Sequence, residues 1–161
     1  MVSTQRRPEP QVPQNIEAEL GVLGSIIIDP EAIALVAGFL RAEDFYRDAN
    51  RTIYEVVIQL YEQRIPADFI TISDVLERTN RIEEIGGPGY ITSLVNVVPT
   101  SGNAVHYAHI VHQAATMRSL AASAGTIAAL AYSDVDAKEA LEQASQEIYT
   151  ISTEQGLAQQ D

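Results

Sequence analysis

Between Ala114 and Ala131 the sequence places eight alanines in eighteen residues, with no proline and no acidic side chain. Alanine is the best helix former because its side chain has no rotamer freedom to lose, so this run commits the later part of the chain to helix. The run supplies few large apolar groups, chiefly Met117, Leu120, Ile127 and Leu130. Helices faced with small residues approach closely but cannot enclose a thick core. Val105, Ala108, Ile110, Val111 and Ala115 mark one helix, and Leu120, Ile127 and Leu130 mark another. Residues 101–133 are therefore expected to form an antiparallel helical hairpin that projects and pairs with another copy. Ala121, Ala124 and Ala128 are the candidates for that self-association.

The preceding residues repeat their apolar groups at helical spacing, and period-two alternation is scarce, which predicts an all-α head over residues 15–100. Asn15 is a suitable N-cap for a first helix, with Glu17 and Glu19 at its positive end and Ile16, Leu20, Leu23 and Ile27 as its buried stripe. Gly21 and Gly24 inside it suggest close approach of a neighbouring backbone. Asp29-Pro30-Glu31 ends this helix and starts the next, faced by Ile33, Val36, Ala37 and Leu40. A third helix from about Asp48 turns Ile53, Val56, Val57 and Leu60 inward. Thr71 reads as the N-cap of a fourth, with Asp74 at its third position. Gly86-Gly87-Pro88-Gly89 is a hard turn before a short helix from Tyr90 to Val97. About six helices are expected in this head.

Residues 1–14 contain Pro8, Pro10 and Pro13 and read as an extended or flexible arm outside the core. In the final segment, residues 134–161, Ala137, Leu141, Ala144, Ile148 and Ile151 recur in steps of four and three. A stripe that narrow needs a partner groove, either on another domain or back on the hairpin. Leu141, Ala144, Ile148 and Ile151 form the expected docking stripe.

The chain carries a net charge of −12 and no cysteine. Residues 15–100 hold six Arg against fourteen acids, and residues 101–133 hold only Arg118. Gripping a phosphate backbone takes clustered Lys and Arg, so direct nucleic-acid binding is not expected. Without cysteine there is no disulfide framework and no thiolate zinc site, which suits a reducing, cytoplasmic setting. No apolar run is long enough to span a membrane.

A search for chemistry finds little. No Gly-x-x-x-x-Gly-Lys-Ser/Thr run is present, so no nucleotide cradle and no cofactor are expected. His106, His109 and His112 are spaced by three on one helix, and steps of three drift around it by about 60° each. They are read as solvated residues of the hairpin's polar face; a small acidic metalloenzyme built on them is the alternative from another class. Glu43-Asp44 and Glu83-Glu84 are adjacent carboxylates, which on a helix do not face each other. No catalytic residue and no metal ligand is assigned.

The short runs then add up. Asn15-Ile-Glu-Ala-Glu19, Val22-Leu-Gly-Ser-Ile26, Asp29-Pro-Glu-Ala-Ile33, Glu43-Asp-Phe-Tyr-Arg47, Ile65-Pro-Ala-Asp68, Ile85-Gly-Gly87 with Tyr90, and Val98-Pro-Thr100 with His106-Tyr-Ala108 follow one another in order. Together they resemble the N-terminal domain of bacterial replicative DNA helicases of the DnaB type. The resemblance implies a non-catalytic collar domain with a helical head, a hairpin, and a linker helix leading to a RecA-like ATPase motor beyond residue 161. It also implies homo-oligomers, hexameric in the full-length helicase, contact of the linker helix with an adjacent subunit's ATPase domain, and recruitment of the primase C-terminal domain. Tyr90, Met117, Leu120 and Ile127 become the primase-facing candidates; from sequence alone Tyr90 is equally a partner anchor or a plug of the head's core. Asn50 stands where the family usually has His and is expected on a helix surface. The helicase-binding domain of primase, which has a similar helical fold, is the nearer alternative.

The charge distribution generates a first prediction: at physiological salt the chain shows no binding to labelled single-stranded DNA by fluorescence anisotropy. Tight, steeply salt-dependent binding would contradict it.

Overall fold

The computed structural model describes residues 11–97 and 103–154. Seven α-helices follow one another: α1 (Ile16–Ile28), α2 (Ile33–Val36), α3 (Asp48–Glu62), α4 (Phe69–Arg78), α5 (Pro88–Val97), α6 (Ala104–Ala131) and α7 (Ala137–Glu154). Short 3-10 turns at Pro30–Ala32 and Ala42–Asp44 link α1 to α2 and α2 to α3. Among the described residues there is no strand, so the fold is all-α.

The head is organised around α1. Val22, Leu23 and Ile26 are fully buried, and α1 packs against α3, α5 and the first half of α6. Phe45, Ile53, Tyr54, Ile72, Leu76, Ile91 and Leu94 complete a single continuous core. The Tyr54 ring lies against Phe45, with centroids 4.8 Å apart, and its hydroxyl donates to the Leu40 carbonyl at 2.8 Å. Burial, reinforced by the nearby charge of Asp44, pushes that phenol above its ordinary range, so it stays a donor.

Local chemistry explains most helix ends. Asn15 Oδ1 accepts from Ala18 N at 3.0 Å, as its N-cap role requires. For α4 the expected start is corrected: the N-cap is Asp68, not Thr71. Asp68 Oδ1 accepts from Thr71 N, and Thr71 Oγ1 accepts from Asp68 N, both at 2.9 Å. Thr71 is thus the third residue of a capping box, and the box places the start three residues earlier. Helix α5 likewise starts at Pro88, because Gly86 and Gly87 take φ of 104° and 81° and complete the turn before it.

The larger correction concerns the hairpin. No turn divides residues 104–131; α6 runs unbroken for 28 residues. Nothing between Ala115 and Leu120 breaks a helix, and alanine on both sides favours continuation. The hairpin's second arm is α7, which packs on α6 after a bend at residues 132–136. Ser123 Oγ donates to Glu147 Oε2 at 2.9 Å across the pair. Residues 137–154 of the segment read as a separate linker helix are therefore folded back on α6. Past Arg118 only Ser123 of α6 is buried, so the arm projects beyond the head by about 20 Å at the helical rise per residue. Residues 1–10, residues 98–102 (including Val98-Pro-Thr100) and residues 155–161 lie outside the described residues.

Gly21 is where α1 and α6 meet most closely. A Cβ there would lie 2.8 Å from Tyr107 Cδ2, so the glycine admits an aromatic ring, where a neighbouring backbone was expected. Gly21→Ala should gain helix propensity of about 1 kcal/mol yet lose more to overpacking, for a net loss of about 1–2 kcal/mol. In a Tyr107→Leu background the same change should become stabilising; urea unfolding of the four variants measures both signs.

Candidate partner-binding surface

The side chain that organises this region is a buried carboxylate. Glu19 is 1% exposed, and its two oxygens face the start of α3. Oε2 accepts from Tyr46 N at 2.8 Å; Oε1 accepts from Arg47 N at 3.3 Å and from Asn50 Nδ2 at 3.0 Å. An anion at the opening of α3 meets unpaired backbone donors and the positive end of the helix dipole. Three donors offset the cost of desolvating the charge.

Asn50 extends this network. It is fully buried rather than on a helix surface, which corrects the expectation for that position. Its amide nitrogen serves Glu19, and its oxygen accepts from the Tyr90 hydroxyl. The Tyr90 oxygen in turn accepts from Arg47 Nη1 at 3.4 Å. Tyr90 is half-buried, packs its ring against the core and keeps its polar end in this network. It is therefore tied to the head and also reachable at the surface.

A second cluster fixes α6 to the head. Arg118 donates from Nη2 to the Asp44 carbonyl at 2.6 Å and from Nη1 to the Pro13 carbonyl at 2.9 Å. Its guanidinium lies 5.4 Å from the centre of the Tyr46 ring, a cation–π contact. Six residues earlier, His112 Nδ1 is 3.2 Å from Asp44 Oδ2, and Asp44 also accepts from Arg41 N at 3.0 Å. His109 stacks on Phe39, with centroids 4.4 Å apart and planes 8° from parallel. His112 is half-buried against the head, whereas His109, though stacked on Phe39, stays exposed, as does His106; the expectation of solvated histidines fails only at His112. The His109 and His112 rings both flank Phe39, and among the described residues no three His, Cys, Asp or Glu gather to hold a metal.

The remaining candidates fall on the projecting hairpin. Met117 and Leu120 are exposed, Ile127 is half-buried, and Ala121, Ala124 and Ala128 are exposed. On α7 the expected stripe divides. Ala144 and Ile151 are half-buried with the face that carries Glu147, whereas Leu141 is 70% and Ile148 44% exposed. The half-buried line is Ala140, Ala144, Glu147 and Ile151, and Leu141 and Ile148 lie about 80° round the helix from it, which is why the stripe divides. Tyr132 and Tyr149 are further exposed aromatics that the sequence reading passed over. The head has an apolar surface of its own, a groove of about 550 Å³ lined by Pro30, Ile33, Ala34, Tyr61, Ile65 and Pro66. Nothing in the geometry joins the candidates into one pocket: Tyr90 sits on the head, and the others lie along the arm.

Comparison with known proteins decides the family. Residues 11–113 match the model of the DnaB-like helicase N terminal domain. The chain belongs to that family. It is 40% identical over 129 residues to the replicative DNA helicase DnaC of Bacillus subtilis (strain 168), covering 80% of this chain and 28% of that relative. It is 36% identical over 145 residues to the replicative DNA helicase DnaB of Mycobacterium leprae (strain TN), covering 88% of this chain and 24% of the other. The chain thus spans about a quarter of the length of these relatives. In structure it resembles the N-terminal domain of DnaB helicase from Mycobacterium tuberculosis, with a TM-score of 0.82 and 37% identity over 86% of this chain and 99% of that one. It also resembles the N-terminal domain of DnaB helicase from Helicobacter pylori, a structure described together with its interactions with primase, with a TM-score of 0.62 and 25% identity over 73% and 91% of the two chains. Membership sets aside the reading of the chain as primase's own helicase-binding domain. Among the described residues no helix is long and apolar enough to cross a membrane.

Glu19→Gln replaces an acceptor with a donor facing donors. Chemical denaturation should show a loss of about 1–3 kcal/mol, since one buried group is left unpaired. Unchanged stability would mean that Glu19 does not organise the start of α3.

Proposed function

We propose that this chain is the non-catalytic collar module of a replicative DNA helicase, assembling subunits through its hairpin and receiving primase. Family membership supports the helicase context, and the primase interactions of the Helicobacter pylori relative support primase as the class of partner. The observation that carries the reading is the projecting arm. It offers exposed Met117, Leu120, Ala121, Ala124 and Ala128, with exposed Leu141 and Ile148 on the adjoining helix. Scattered apolar groups on a surface need no partner, but a two-helix arm with almost nothing buried past Arg118 gains most of its stability from what covers it. Ring assembly, contact with a neighbouring ATPase motor, and the cytoplasmic setting belong to the same proposal. In it the chain contributes surfaces, and any ATP chemistry belongs to the motor.

Tyr90 is the proposed head-side contact for primase, joined by the α6 face that carries Met117, Leu120 and Ile127. A ring held by its hydroxyl loses little rotamer freedom when a partner covers it.

Mass measurement across concentration tests assembly. Ala121→Glu with Ala128→Glu should raise the dissociation constant at least about tenfold, roughly 1.4 kcal/mol, with unchanged helical circular dichroism. If the variant stays associated, the contact lies elsewhere, and the head groove at Tyr61 and Ile65 is next in line. Calorimetry with a primase C-terminal domain tests recruitment. Tyr90→Phe keeps the ring but frees Asn50, so it should lower the melting temperature while retaining binding. Ile127→Asp should weaken binding without destabilising the head; unaltered affinity would remove the arm from the proposed surface.

A further inference from the structure

Charge is laid unevenly along the arm. At its tip, residues 132–142 carry Asp134, Asp136, Glu139 and Glu142 against Lys138, and all of these are exposed. Tyr132 stands beside them, 92% exposed. At the base, Arg118 holds the Asp44 carbonyl, and Arg41, Arg47 and Arg51 flank that turn. Glu19 and Asp44 are buried there, which leaves Glu43 and Asp48 as the turn's surface carboxylates, each drawn to an arginine. Glu154, which lies with Ser119 at the end of α7, is a third. Four guanidiniums thus face three surface carboxylates, in a chain of net charge −12. Arg47 is exposed, and among the described residues its side chain reaches only the Tyr90 hydroxyl.

We propose that the arms of two copies pair antiparallel, seating the acidic tip of each on the arginine-lined base of the other. This direction rests on the pairing of arms proposed above and adds its end contacts. Length admits it. From Arg118 to Ala131 the free half of α6 spans about 20 Å, so arms paired over that length bring each tip level with the other's base. Symmetry reduces the choice to two. A two-fold axis along the arms puts tip against tip, and an axis across them puts tip against base. Charge then decides. Parallel arms gather carboxylates at one end and guanidiniums at the other, whereas antiparallel arms set opposite charges together at both ends. Ion pairs at such exposed ends add little affinity but fix the orientation. Tyr132 brings a ring face to the guanidiniums of the partner's base, where it can take a cation–π contact. Ala121 and Ala128 stay on the seam between the arms, so the seam and its two ends belong to one interface.

Sedimentation equilibrium on two variants of the full chain tests this direction. Asp134→Lys with Glu139→Lys reverses the tip and spares Asp136 at the start of α7; Arg41→Glu with Arg47→Glu reverses the base. Each variant alone should raise the dissociation constant at least about tenfold, because both ends of its dimer then carry like charges. An equimolar mixture should associate to within about threefold of the wild type, since each tip again meets a base of opposite charge. Circular dichroism of each variant checks folding. Should either pair of substitutions unfold the head, Ala131→Cys in the otherwise unaltered chain, which has no cysteine, carries a nitroxide near the tip. Antiparallel arms hold two such labels about 20 Å apart, and parallel arms about 10 Å. A short separation, reversals without effect on the wild-type dimer, or a mixture no tighter than its components would each overturn the direction and leave arm pairing standing. A wild-type chain that stays monomeric up to about millimolar concentration would remove arm pairing itself, and the direction with it.

Discussion

A carboxylate in a hydrophobic core is tolerated only when its oxygens are satisfied, and Glu19 meets that condition in one arrangement. The α1 helix must lie across the start of α3 so that Tyr46 N, Arg47 N and Asn50 Nδ2 all point at it. Apolar packing alone tolerates sliding of one helix along another; a buried anion with three directional donors does not. Asn50 passes the constraint on to Tyr90 and hence to α5, while Tyr46 passes it to Arg118 and α6. Four helices thus take their relative placement from a network that begins at one side chain.

The alanine-rich run plays the opposite part. Where Glu19 fixes geometry, α6 supplies length with little to bury. Its first half is part of the head, with Ala104, Ala108, Val111 and Ala115 in contact with the core. Its second half has α7 for company and keeps a largely exposed surface. One secondary-structure element therefore serves two environments, and the transition falls at Arg118, whose guanidinium closes over Tyr46, Asp44 and Pro13.

Much of this was legible in the residues. Apolar spacing located α1, α2, α3 and α5, and the ordered short runs pointed to the family before any coordinates. The misreadings share a cause: a polar side chain's partners are not encoded beside it. Glu19 looked like a dipole complement because acids favour helix starts, yet it lies three residues after Ile16 and four before Leu23, on the buried stripe. That position was the available signal. Asn50 was taken for a surface residue because polarity stood in for burial. The hairpin turn was placed too early since a change in residue size between Ala115 and Leu120 was read as a break, although no glycine–proline signal accompanied it. Arg118, the lone basic residue of its stretch, could have been singled out by that isolation. For the partner-facing residues, spacing indicates only that a side chain lies on a helix. Exposure depends on whether another element happens to cover it, as Leu141 and Ile151 show from the two edges of one predicted stripe.

The continuity of α6 also has a mechanical consequence. Because no hinge separates the head-bound half from the free half, the arm behaves as a rigid lever whose fulcrum is the Arg118–His112 clamp on the Ala42–Asp44 turn. A tilt of about 10° there displaces the tip by about 3–4 Å, since the free half is about 20 Å long at the helical rise per residue. Small adjustments of the turn beside Glu19 are thereby magnified at the far end of the arm, and motion imposed on the arm is returned to the head at reduced amplitude and greater force.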